Sequence, residues 1–151
     1  MRLDEQLTTI DLLRRREFPA QRVRSTPVES GPGFHIADLR VSQDFWDVDL
    51  TELAEVEEEF EAALTALVQA LSLRWGEPEV VDLTDVLERT AQGLPVPPPL
   101  DVLCGFVPLM YGWRVDGRWT AVGVGQGDRE LPLQLLVAVG EEEVARMAGG
   151  Q

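Results

Sequence analysis

The chain has 151 residues, 44% of them apolar, and its 13 arginines, with no lysine, face 27 acids for a formal net charge of −14. That length fits one domain and that apolar fraction supports a real core, which excludes wholesale disorder. One cysteine, Cys104, excludes an intramolecular disulfide framework and a cysteine-based zinc cluster, and no apolar run approaches the roughly 20 residues of a membrane span.

The charge is unevenly placed. Residues 1–41 carry seven arginines against six acids, whereas residues 42–151 carry six against 21, a net of −15. A body so acidic repels nucleic-acid phosphates and favours encounter with a basic partner. The opening MRLDEQLTTIDLL mixes acids into what a signal peptide needs as an apolar segment. Arg14, Arg15 and Arg16 are followed by EFPAQRV, which is no twin-arginine export signal. The expected setting is cytoplasmic.

In chain order, Leu3, Leu7, Ile10 and Leu13 recur at helical spacing and predict an amphipathic helix over 3–16. Its last turn holds Arg14, Arg15 and Arg16, where cations interact well with the helix dipole, and Pro19 ends it. Residues 19–32 carry Arg22, Arg24 and the proline and glycine punctuation of a linker. The chain therefore divides into an arginine-rich helical arm and linker, 1–32, and an acidic α+β domain, 33–151, expected to fold without the arm. Phe34, Ile36 and Leu39 point to a strand over 33–41, although the alternation breaks at Leu39.

Residues 50–73 make the strongest helix, with Leu53, Val56, Phe60, Leu64, Leu67 and Leu71 in one stripe. Asp49 or Thr51 caps its start, and Gly76 and Pro78 stop it. Glu79–Leu83 reads as a strand, followed by a second helix through Thr90 that Asp82 or Thr84 caps. Four prolines in residues 93–101 force an extended connection. Asp116-Gly117 then suits the centre of a type I′ turn, which pairs Val115 with Arg118, Trp113 with Thr120 and Tyr111 with Val122. Tyr111, Trp113, Val115, Val122 and Val124 share one face of this hairpin, and Arg114, Trp119 and Ala121 the other. A turn at 125–128 leads to a third run over 131–139, and the tail 141–151 reads as a short helix. The expected fold is α+β: an antiparallel sheet of four or five strands, ending in this meander, packed on the long helix.

Motifs for chemistry are sparse. Gly123, Gly125 and Gly127 mimic a phosphate loop, but a dinucleotide fingerprint needs a helix next, and ELPLQLLVAV reads as a strand. His35, the only histidine, and Cys104 are read as packed residues, and no serine sits in a nucleophile motif. No metal or cofactor is expected. The acids Glu57, Glu58, Glu59 and Glu61 form either a solvated helix face or a contact surface. Trp75 and Trp113 fit core positions, whereas Trp46 and Trp119 are harder to bury. Exposed tryptophan beside arginine, such as Arg114, is a frequent interface anchor. The bland alternative is a second layer, such as the N-terminal helix, over that face.

These features lead to a non-enzymatic module that captures a basic protein partner through Trp46, Glu57, Glu58, Glu59, Glu61, Arg114 and Trp119. The alternative is an assembly subunit in which Arg14, Arg15, Arg16, Arg22 and Arg24 dock on the acidic body of a neighbouring copy. In profile, being compact, acidic and without catalytic motifs, the chain resembles small bacterial immunity proteins and secretion chaperones.

Overall fold

A computed structural model describes residues 2–144. Helix α1 (Leu3–Arg15) leads to strands β1 (Val23–Ser25), β2 (Val28–Gly31) and β3 (Phe34–Val41). Helix α2 (Leu50–Trp75), strand β4 (Glu79–Asp82) and the short helices α3 (Leu83–Ala91) and α4 (Leu100–Leu103) follow. Strands β5 (Leu109–Val115), β6 (Arg118–Gln126) and β7 (Leu133–Glu141) complete one sheet. Its order is β1-β2-β3-β7-β6-β5-β4, and every neighbouring pair is antiparallel. The α+β class and the meander are as expected, but there are seven strands where four or five were predicted. The extra pair, β1 and β2, lies in the stretch read as linker. Strands of three and four residues are too short to display alternation among prolines and glycines.

The long helix follows its stripe. Val56, Phe60, Leu64, Leu67 and Leu71 are buried, and the Asp49 side chain accepts a hydrogen bond from the Glu52 amide at 2.9 Å. Gly76 ends the helix at φ 88°, a conformation open to glycine. Its carbonyl accepts the Trp113 Nε1–H at 2.8 Å, which fixes the helix end to the hairpin. The hairpin has the predicted register, with Asp116 and Gly117 at φ 52° and 80°. The break in alternation at Leu39 is a register shift between Asp38 and Arg40 that keeps Leu39 buried.

Central β7 separates two cores. Leu135, Val137 and Val139 join α1, α2, Trp113 and Val122 on one side. Leu136 and Ala138 join Phe34, Val86, Leu100, Leu103, Val107, Met110 and Trp119 on the other. A strand buried on both faces reads as a continuous apolar run, hence LQLLVAV.

The arm expected at 1–32 is instead built into the body. Ile10 and Leu13 are buried in the first core, and β1 and β2 extend the sheet from β3. Arg14 donates to Thr120 Oγ1 at 2.7 Å and to the Val115 carbonyl at 3.0 Å, and Arg118 donates to the Leu13 carbonyl at 3.1 Å. The spacing of α1 foretold its apolar stripe but not the surface that covers it. The short helix expected at 141–151 falls largely outside the described residues.

Candidate functional site

The structure disperses the residues singled out from the sequence. Trp119 is 1% exposed and packs against Gly112 and Gly140, so it is a core residue and not an exposed anchor. A second layer does cover its face, but that layer is α3, α4 and the chain around them, not the N-terminal helix. Arg114 is exposed and reaches Glu79 on the neighbouring β4 at 3.4 Å. Glu57, Glu58, Glu59 and Glu61 lie exposed on α2, and Glu59 meets Arg40 at 3.3 Å. Trp46 is 67% exposed in the loop between β3 and α2, beside the buried Phe45. Of the arm arginines, Arg14 and Arg22 contact their own chain: Arg14 as described, and Arg22 over the Phe34 ring and near Glu29. Arg15, Arg16 and Arg24 are exposed.

Gly123 and Gly125 belong to β6 and serve packing. A Cβ on Gly123 would stand 2.8 Å from the Leu109 carbonyl oxygen, and one on Gly125 2.8 Å from Phe106. The missing side chains let the chain at 106–109 lie flat on the sheet. His35 is fully buried against Phe18. Its Nε2 lies 3.1 Å from the Arg16 carbonyl, which only accepts, so Nε2 carries the proton and Ser30 Oγ donates to Nδ1 at 2.6 Å. Burial holds its pKa below the ordinary 6.5, Arg118 and Arg16 add repulsion, and the bond to the Arg16 carbonyl opposes them.

Sequence reasoning missed a groove of about 560 Å³ on the second face of the sheet. Strand pairing sets Arg24 opposite Glu29 and Glu29 opposite Ile36, so these share a face with Phe34 and Asp38. The irregular layer ends at Val102 and Phe106, which wall the groove over Ile36, Asp38 and Gln134. Arg24, Thr26, Pro27 and Glu29 line it too, as do Val41, Leu131 and Pro132. Asp38 Oδ1 accepts from Gln134 Nε2 at 2.9 Å. Burial raises the Asp38 pKa, opposed by that bond and by the Arg24 charge. The Phe45 amide bonds to the Glu130 carbonyl and the Ser42 amide to the Leu133 carbonyl, each at 2.9 Å. These bonds bring the Trp46 loop to the part of the groove bounded by Val41 and Leu131. One sequence signal was available: Phe34, Ile36 and Asp38 share a strand face, which puts a carboxylate in an apolar row.

The arrangement suits an elongated ligand with apolar groups and one cation. Asp38 and Gln134 offer acceptor oxygens at the floor, between apolar walls. Among the described residues no group of three His, Cys, Asp or Glu is placed to hold a metal ion, and no helix is long and apolar enough to cross a membrane.

The fold thus defines an α+β protein with a seven-stranded antiparallel sheet, helices on both faces and an open groove over one end of the sheet. No protein family, curated protein or solved structure matches this chain.

Proposed function

We propose that this protein is a non-enzymatic binding module, immunity-protein-like or chaperone-like, whose groove takes a basic segment of a partner protein. The observation that carries this reading is the half-buried Asp38 carboxylate on the floor of a groove that Val102, Phe106, Leu131 and Pro132 wall and that Glu29 also lines. A carboxylate withdrawn from water is poorly compensated, and a lysine or arginine inserted from a partner restores that compensation. Arg24 supplies part of it but lies at the exposed rim. The acids of residues 42–151, including Glu57, Glu58, Glu59 and Glu61 on α2, add long-range attraction for a basic partner, and Trp46 offers an exposed aromatic anchor. The assembly reading has less support, because Arg14 and Arg22 are engaged within their own chain.

The test is titration with extended peptides that alternate arginine with apolar residues, at two salt concentrations. Binding should saturate and weaken with salt, since the Debye length falls from roughly 30 Å at 0.01 M to roughly 8 Å at 0.15 M. Asp38→Asn should weaken it by about tenfold or more, the scale of a lost charge-assisted hydrogen bond. Replacing Glu57, Glu58, Glu59 and Glu61 by glutamine should slow association more than it changes dissociation. Equal binding of acidic peptides, or indifference to Asp38→Asn, would overturn the reading.

A further inference from the structure

A second pocket, of about 380 Å³, lies where the C-terminal ends of α1 and α2 meet the β5–β6 turn. Arg14, Arg15, Arg74 and Arg118 line it with Asp11, Asp116 and Trp75. Four arginines against two aspartates leave two positive charges in a chain whose net charge is −14. The two helix C-termini contribute roughly half a negative charge each, which does not cancel this excess.

Arg14 and Arg118 are held in place by neutral groups. Arg14 lies 4.7 Å over the Trp75 ring and donates to Thr120 Oγ1 and the Val115 carbonyl. Arg118 lies 4.0 Å over the Phe18 ring and donates to the Leu13 carbonyl. Among the described residues neither has a carboxylate oxygen within ion-pair distance, whereas Arg74 pairs with Asp11 at 3.0 Å. Burial disfavours the Arg14 charge, Asp116 and Asp11 favour it at longer range, and Arg118 repels it. A guanidinium has more N–H donors than these contacts use. The result is two fixed forks, Arg14 and Arg118, positioned by stacking and by neutral oxygens, with charge that the nearby aspartates compensate only in part, and with the exposed Arg15 beside them.

We propose that this pocket binds an oxyanion of the phosphate class, either inorganic phosphate or a phosphomonoester. Planar forks match phosphate oxygens bidentately, and the excess left after the helix dipoles, roughly one positive charge, attracts the roughly −1.5 to −2 of a phosphate ester at neutral pH. A carboxylate offers fewer oxygens and half the charge. The pocket is separate from the groove and does not rest on the function proposed for it.

The test uses the full chain and calorimetric titration with inorganic phosphate, glycerol 2-phosphate and acetate, at ionic strength held constant with chloride. Phosphate or its ester should bind saturably and raise the melting temperature by mass action, with acetate much weaker. Tighter binding of inorganic phosphate assigns the free ion, and tighter binding of glycerol 2-phosphate assigns the ester. Arg14→Gln removes hydrogen bonds that hold α1 to the sheet, so the exposed Arg15 carries the test. Arg15→Gln should weaken phosphate binding about tenfold, as for loss of one charge-assisted contact, and leave the ligand-free melting temperature unchanged. Arg74→Gln should weaken it further at little cost in stability, because its pair with Asp11 is exposed. No saturable response beyond that of chloride, acetate binding as tightly as phosphate, or full affinity in the Arg15→Gln, Arg74→Gln double variant would overturn the proposal.

Discussion

The two faces of the sheet are covered by different means. On one, α1 and α2 lay regular apolar stripes across the strands, with Ile10, Leu13, Phe60, Leu67 and Leu71 all buried. On the other, the cover is short helices and connecting chain, from Val86 through Leu100 and Leu103 to Val107. The helical face needs no special backbone on the strands. The irregular face brings chain close to the sheet, and Gly123 and Gly125 make room for it, while Gly112 makes room for the Trp119 ring. A helical stripe is a local property of the chain. Cover by connecting segments depends on contacts between distant residues, and where those segments end, the sheet is left open as the groove.

The largest expected effect tests whether α1 truly belongs to the helical face. Deleting residues 1–31 removes Ile10 and Leu13, exposes β3 as an edge and strips His35 of both its hydrogen-bond partners. Contrary to the expectation from sequence, the remainder should lose its cooperative thermal transition and near-ultraviolet circular dichroism. A sharp melt of the truncated chain would restore the arm as a separate element.

Trp119→Ala compares the faces directly with Phe60→Ala. Both side chains are 1% exposed, and each truncation should cost about 3–5 kcal/mol in denaturant titrations. A cost under about 1 kcal/mol for Trp119 alone, well short of that range, would mean that the irregular layer is a loose cover. A smaller loss, about 1–3 kcal/mol, is expected from Gly123→Ala, because its new Cβ would meet the Leu109 carbonyl oxygen at 2.8 Å. A neutral result would show that the chain at 107–110 can lift without cost.

The smallest effect is a pH dependence. His35 has its pKa lowered in the folded state, chiefly by burial, so the folded protein favours the neutral imidazole. Its contribution to stability is complete above the unfolded value of 6.5 and is lost as pH falls from there through the folded pKa. Melting temperatures should therefore drop more steeply below pH 6.5 in the parent than in His35→Gln. Parallel curves would remove His35 from the account. Asp38 has the opposite sign: its raised pKa makes the ionised carboxylate a stability cost above the folded pKa. Asp38→Asn should thus bind more weakly without being less stable at neutral pH.

Local patterns in the sequence determined a good part of this protein. The uneven charge follows from composition alone, and the spacing of apolar residues in α2, its Asp49 cap and Gly76 stop, and the Asp116-Gly117 turn with its register all depend on residues a few positions apart. Their physics is that of one helix or one hairpin. Tertiary structure alone decided what depends on distant segments meeting. Trp119 became core because α3, α4 and the chain near them lie over its face, and Arg14 became internal because α1 docks beside the hairpin. Asp38 became the floor of a groove because that cover stops at Val102 and Phe106. Alternation along β3 places Asp38 on a face, but only the packing of chain more than sixty residues away determines whether that face is buried, solvated or left as a binding surface.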